Sequence, residues 1–167
     1  MRHSVTGRLE INGVPWMFQN GTGYAEGDRG RSFPTGYVWT QSALPDGALM
    51  LAAAEIPWGG FRFTGVTAAV LWQGKEYRLA TYLGARAEKI EGGAVVIRQG
   101  AACLSARLLA PAAQPLRAPA AGAIVRTIHE HAACRVFYRF QIGKNTLFAL
   151  EIPNASFEYE YPDSGPV

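Results

Sequence analysis

The sequence predicts an all-β domain, folded as an antiparallel β-barrel or as a strongly curved meander of about ten strands. Apolar and polar residues alternate with a period of two along most of the chain, which is typical of half-buried strands. Short turn motifs rich in glycine, proline and asparagine separate the alternating runs. Closing such a sheet would remove its exposed edges, so a barrel is favoured.

The clearest hairpin signal lies at the start of the chain. Residues 4–11 alternate, with Val5, Leu9 and Ile11 on one side and charged or hydroxyl side chains on the other. Asn12-Gly13 then supplies the two positive φ values of a two-residue turn. Further strands are predicted at residues 14–18, 37–41, 49–56, 61–72, 76–83, 94–98, 102–109, 136–142 and 147–152, and residues 111–119 are predicted to form an irregular connection.

Length and composition indicate one globular domain over residues 1–167. Hydrophobic residues make up 49% of the chain and charged residues 17%, a balance that excludes disorder. The net charge of +3 does not predict nucleic-acid binding, because the arginines are spread out and no basic run interleaves with aromatic residues. We therefore expect no nucleic-acid partner.

The N-terminal residues and the short apolar runs predict a cytoplasmic protein. Residues 1–6 lack the apolar core of a signal peptide, and the longest apolar run, residues 48–54, is far too short to span a membrane. Cys103 and Cys134 both lie in apolar stretches, where small buried thiols are expected. No phosphate loop or dinucleotide fingerprint is found, so no cofactor is predicted.

The most unusual segment is residues 23–34, GYAEGDRGRSFP, which precedes the predicted strand YVWTQ at residues 37–41. Glu26 and Asp28 are two residues apart, so both carboxylates would lie on one side of extended backbone. Trp39 and Gln41 share one face of the strand that follows. Together these residues form the first candidate site.

This segment resembles an element of the tocopherol cyclase family, and later blocks at residues 56–57, 63–65, 77–82, 116–119 and 126–130 are similar as well. The resemblance implies a lipocalin-like β architecture that corresponds to the second half of the cyclases. Family members close a prenylated quinol into a chromanol ring, and this chain looks closer to bacterial relatives of unsettled role. Arg29 stands where the family usually has tryptophan.

The chemistry of such a cyclisation suggests roles for individual residues. A carboxylic acid kept protonated by an apolar pocket would donate a proton to the alkene, and aromatic rings would stabilise the cation. Glu26 or Asp28 would be the catalytic acid. The ligand-binding set would comprise Tyr24, Trp39, Gln41, Arg78, Tyr82, Arg126 and Glu130.

Structural roles compete with these assignments. Glu26 and Asp28 are better explained as partners of Arg29 and Arg31 in a rigid loop. Arg126 and Glu130 share a strand face and are expected to pair with charges on neighbouring strands. Two histidines, at 129 and 131, lack a third ligand at suitable spacing, so no metal site is predicted.

Three functions remain open on the sequence. The first is a binding module for an apolar isoprenoid, prenyl-quinol or lipid-like ligand held inside the sheet. The second is an acid-catalysed cyclase or hydratase that acts on a prenylated quinol. The third is a half-domain that assembles with itself, as a dimer, or with a separately encoded partner half. The sequence does not decide whether the chain is an enzyme.

Overall fold

The computed structural model describes residues 2–27 and 33–161, and over them the chain is all-β with one short 3₁₀ turn. The strands are β1 (Arg2–Ile11), β2 (Val14–Tyr24), β3 (Tyr37–Leu44), β4 (Gly47–Trp58), β5 (Phe61–Trp72), β6 (Lys75–Ala80), β7 (Arg86–Glu91), β8 (Ala94–Gln99), β9 (Ala102–Ala110), β10 (Gln114–Ala120), β11 (Ala123–Ile142) and β12 (Asn145–Glu160).

Ten of these strands form one antiparallel sheet, in the order β6-β5-β4-β3-β12-β11-β9-β8-β7, with β10 paired to the first half of β11. Most neighbours in the sheet are consecutive in the chain, as in a meander. Strands β1 and β2 form a separate hairpin. Its turn is Asn12-Gly13 with φ values of 51° and 77°, which confirms the predicted turn.

Two local predictions were wrong. Residues 114–120 form β10 and not an irregular connection, because β10 pairs on one side only and an edge strand tolerates Pro115 and Pro119. The strand predicted over residues 76–83 ends at Ala80. There the Val66 N–H donates to the Thr81 hydroxyl (2.7 Å), and the chain turns through Thr81–Leu83.

The sheet does not close into a barrel, so of the two predicted architectures the strongly curved meander remains. Its two end regions approach each other without pairing. The Ala80 N–H on β6 donates to the Gln99 amide oxygen on β8 (3.0 Å), and the Gln99 amide nitrogen donates to the Arg78 carbonyl (3.1 Å). One side chain thus makes the hydrogen bonds that strand pairing would otherwise make at this seam.

The core face of the sheet is filled by its own side chains. Nine of the ten strands contribute to a single apolar cluster, in which the largest fully buried members are Tyr138, Phe140 and Phe157. The Tyr138 hydroxyl is satisfied by the Thr40 hydroxyl (2.5 Å) across this core. The sequence predicted a chamber for a ligand on this face. In the described strands the side chains of the core face pack against one another instead.

Burial also accounts for the cysteines. Cys134 lies in the apolar cluster, and burial raises the pKa of its thiol from 9.0 to about 11. Its thiol donates to the Ala155 carbonyl. Cys103 is half-buried, and both cysteines are free thiols. These positions fit the predicted role of small packing residues.

We predict that Gln99→Leu lowers the free energy of unfolding by about 1–3 kcal/mol, since the buried Ala80 N–H and the Arg78 carbonyl lose their partner at the seam. Urea unfolding would measure the change. Gln114→Leu, at an exposed position on β10, is the control and should have an effect within about 0.5 kcal/mol. Equal stability of the two variants would show that Gln99 does not hold the seam.

Candidate functional site

The predicted site residues of β3 lie on the outer face of the sheet. Val38 and Thr40 are fully buried in the core, so the alternation of the strand turns Trp39 and Gln41 to the opposite side, where both are half-buried. The prediction that Trp39 and Gln41 share a face is confirmed. That face is not the interior of the sheet.

Tyr24, Glu26 and Trp39 come together at this surface. The Tyr24 hydroxyl and the Trp39 indole N–H (3.2 Å) both donate to the same oxygen of Glu26, Oε2. The two rings are tilted with centroids 6.4 Å apart. Burial raises the pKa of Tyr24, and the Glu26 carboxylate raises it further. Glu26, itself exposed, thereby fastens the end of β2 to β3.

A second polar cluster lies on the same outer face, across β3, β12 and β11. Arg126 donates to the Pro34 carbonyl (2.6 Å) and forms an ion pair with Glu160 (3.5 Å). The Tyr37 hydroxyl donates to Glu158 (3.0 Å). Each of these charged groups bonds to a neighbouring strand or to the segment after residue 32, which is the structural role that the sequence favoured for Arg126.

The other predicted site residues do not join these clusters. Gln41 donates to the Ser156 hydroxyl (3.0 Å). Glu130 is half-buried on β11, directly opposite Glu158. Arg78 is exposed and pairs with Glu76 (2.8 Å) on its own strand. Asp28, Arg29 and Arg31 lie outside the described residues, so their predicted pairing with Glu26 is not tested.

An apolar groove along β4 and β5 was not predicted from the sequence. Its floor consists of small residues on the outer face, Ala52, Ala54 and Gly65, and the hydroxyl-bearing Thr67. Its walls are Ile56, Phe63 and Tyr82, and its volume is about 490 Å³. A second apolar cavity of about 550 Å³ continues from Ile56 and Phe63 to Trp58 and Phe61 at the hairpin tip.

Gly65 leaves room for the Ile56 side chain at the groove floor. A Cβ at position 65 would lie 2.5 Å from Cδ1 of Ile56, so a larger residue would displace that side chain from its present position across β5. One signal in the sequence could have revealed the groove. Large apolar residues occupy every second position on either side of the Gly59-Gly60 turn, namely Ile56, Trp58, Phe61 and Phe63. The core face of the same two strands is formed by other residues, so this second apolar series indicates a surface site.

The groove and the Glu26 cluster are neighbours. Trp39 is directly opposite Ala52 in the pairing of β3 with β4, and Ala52 is directly opposite Thr67 on β5. Directly opposite residues have Cβ atoms about 5 Å apart. Trp39 therefore lies beside the groove floor, with Glu26 bonded to its indole. Of the predicted site residues, Tyr82 lines the groove and Trp39 lies next to it.

Neither a metal centre nor a spanning helix is found within residues 2–27 and 33–161. No group of three or more His, Cys, Asp or Glu side chains there is placed to hold a metal ion. His131 is buried and bonded to the Phe157 carbonyl (3.0 Å), whereas His129 is exposed near Glu160. In the same residues no helix is long and apolar enough to cross a membrane.

Comparison with known proteins adds no assignment. A scan against family models, a search of curated proteins and a search of solved structures each find no match. The resemblance to the tocopherol cyclases therefore stays a prediction.

We predict that Tyr37→Phe makes stability less sensitive to alkaline pH. Burial, and then the charge of Glu158, raise the pKa of Tyr37 in the folded protein above its ordinary value of 10.0. As the pH rises above 10, the unfolded chain loses this proton first, so the free energy of unfolding falls. Phenylalanine has no such proton. Denaturant unfolding between pH 8 and pH 11 should show a shallower decline for the variant, and identical slopes would contradict the assignment.

Proposed function

We propose that this chain binds an apolar molecule, of isoprenoid, prenyl-quinol or lipid type, in the groove of β4 and β5. The observation that carries the proposal is the groove itself, which has almost no polar surface and no charged residue in its lining. Exposed apolar surface of this kind marks an interaction site in soluble proteins. The cavity volume of about 490 Å³ is within the usual range for small-molecule sites.

Few polar atoms near the groove are open to a ligand, which favours recognition of the ligand by its shape. The Thr81 hydroxyl accepts the Val66 N–H, so it is already engaged with the protein. On the floor itself Thr67 carries one hydroxyl, and the other residues are alanine and glycine, which offer no side-chain hydrogen bond. A ligand would be held by apolar contact, which contributes about 0.8 kcal/mol for each buried CH₂. A branched hydrocarbon chain suits such a surface better than a sugar or a nucleotide.

The filled core favours this location over the interior. Val38, Leu51, Val70 and Ile97 are fully buried on the core face, and their packing leaves the ligand the outer face. The ring of Tyr82, three-quarters exposed, lies at the edge of the groove and can close over a bound chain. The aromatic side chains at the tip, Trp58 and Phe61, extend the same surface.

We predict that Ala54→Phe weakens binding of geranylgeraniol at least about tenfold, because the new ring occupies the groove floor. Quenching of tryptophan fluorescence would measure the affinity, since Trp39 and Trp58 lie beside the groove and at its end. Ala149→Phe is the matched control: it adds the same ring at an exposed position on β12, away from the groove, and should bind as the unaltered protein does.

Two results would overturn the proposal. Unaltered protein that shows no saturable quenching by geranylgeraniol would contradict binding itself. Equal weakening in the Ala54 and Ala149 variants would place the bound molecule elsewhere. Unfolding curves for both variants would show whether the added ring affects folding.

A catalytic function is a second candidate, favoured by the position of Glu26 beside Trp39 at the margin of the groove. The carboxyl group would donate a proton to a prenyl double bond while a quinol oxygen attacks the resulting cationic carbon, and that oxygen would return its own proton to the Glu26 carboxylate. The indole of Trp39 would stabilise the cation. The exposure of Glu26 argues against this role, since a proton donor needs apolar surroundings.

Incubation with a prenylated quinol tests the catalytic candidate. We predict that the protein converts no quinol to chromanol beyond the buffer rate, and that Glu26→Gln does not alter this result. Product detection by mass spectrometry would decide. Chromanol formation that disappears in Glu26→Gln, and persists in the exposed control Glu10→Gln, would replace the binding function by catalysis.

A further inference from the structure

A small polar pocket lies where the β1–β2 hairpin meets the sheet. Arg2 and Tyr24 are directly opposite each other at the base of the hairpin. Arg2 donates to the Gly47 carbonyl (3.4 Å) at the turn between β3 and β4. Tyr24 bonds to Glu26, which also accepts the Trp39 indole N–H. Between this base and the outer face of the sheet is a pocket of about 170 Å³.

The lining of this pocket is polar, unlike that of the groove. The hairpin and the strands β3 and β12 supply its polar side chains, which are those of Arg2, Thr22, Tyr24, Gln41, Ser42 and Asn154. The other lining residues, Gly23, Ala43 and Ala48, are small. Among the described residues Arg2 is the charged member of the lining, and no carboxylate belongs to it.

This set of groups suits a carboxylate. The guanidinium N–H groups of an arginine match the two oxygens of a carboxylate, and one guanidinium balances one negative charge. The Gln41 amide nitrogen donates to the Ser156 hydroxyl (3.0 Å) and has a second hydrogen for a ligand. The Glu26 carboxylate bonds to the Tyr24 hydroxyl but does not line the pocket. A diphosphate would bring more negative charge than the guanidinium of Arg2 balances.

The pocket is too small to be the whole site of a drug-sized molecule. Its volume of about 170 Å³ is below the usual range of about 300–1,000 Å³ for small-molecule sites. It has room for the end group of a ligand whose remaining atoms lie elsewhere on the protein.

The apolar groove is the nearest place for the rest of such a ligand on β4. Ala48 lines the pocket and Ala52 lines the groove, and both belong to the outer face of this strand. Four residues of strand span about 13 Å, which is shorter than an extended geranylgeranyl chain. Met50 lies between them on the same face, half-buried. Its unbranched thioether side chain can change its rotamer to let a hydrocarbon chain pass.

We propose that the chain binds a long-chain carboxylic acid, with the carboxylate in the pocket at the hairpin base and the hydrocarbon chain in the β4–β5 groove. The inference rests on the proposed binding function for the hydrocarbon chain and adds the end group of the ligand. Arg2 would donate to the carboxylate oxygens. Isoprenoid acids and fatty acids both have this chemistry.

The test compares two ligands that share one chain and differ at one end, geranylgeranoic acid and geranylgeraniol. We expect the full-length protein to bind the acid at least about fivefold more tightly at low ionic strength, because only the acid carries a charge for Arg2. Tryptophan fluorescence quenching would measure both affinities. Added salt should reduce the preference, since it screens a partly exposed ion pair.

Two arginine variants locate the carboxylate. Arg2→Gln removes the charge from the pocket and should bind both ligands equally, with the affinity for geranylgeraniol unchanged. Arg8→Gln is the matched control, because Arg8 is exposed on the same strand, pairs with Glu10 (2.9 Å) and does not line the pocket. It should keep the preference for the acid. Palmitic acid, bound in the same Arg2-dependent way, would support fatty acids as a source of the same end group.

The outcomes separate the end group from the proposed function. Equal affinity of the unaltered protein for acid and alcohol would overturn the carboxylate site, and so would equal loss of the preference in the two arginine variants. Tighter binding of geranylgeranyl phosphate than of the acid would overturn the carboxylate as the end group. Unchanged affinity for the acid in Ala54→Phe would overturn the placement of its chain in the groove. Saturable binding of neither long-chain ligand would instead overturn the proposed function itself.

Discussion

The packing of one continuous core on a single face of the sheet constrains everything else in this molecule. Each strand has only two faces, and the core takes one of them over nine of the ten strands, with side chains as large as Tyr138 and Phe157. Side chains of this size fill the core face of the described strands. The apolar groove lies instead on the outer face, where small residues on β4 and β5 leave a hollow between larger ones.

The outer face is divided between two kinds of surface. Over β3, β12 and the first half of β11 the outer face carries polar groups that bond to one another, such as Tyr37 to Glu158 and Arg126 to Glu160. Over β4 and β5 it is apolar and open. Trp39 marks the boundary, since its indole N–H bonds to Glu26 and its neighbour across the strand pair is Ala52. The polar cluster of Tyr24, Glu26 and Trp39 therefore lies beside the apolar groove of β4 and β5 without lining it.

The strands were predictable because alternation and turn chemistry are local properties. The Asn12-Gly13 turn and the buried series from Val136 to Phe140 follow directly from them. The lack of closure was not predictable, because it depends on which distant strands meet. Where the two ends of the sheet approach each other, Gln99 bonds to the backbone of β6, about twenty residues earlier in the chain, and no local pattern marks a glutamine for that role. β10 was missed because its prolines are compatible with a strand only at an edge.

The site was harder to predict than the fold for a related reason. A period of two shows which residues share a face, but it does not show which face is the core. Trp39 and Gln41 were correctly grouped, yet an aromatic residue on a strand suggests the interior, and these lie outside. Burial of Val38 and Thr40 decides the matter, and it depends on β12 and β11 from the far end of the chain. Most of the groove floor is alanine and glycine, which form a hollow because they carry no large side chain, and the sequence alone does not mark such residues as part of a site.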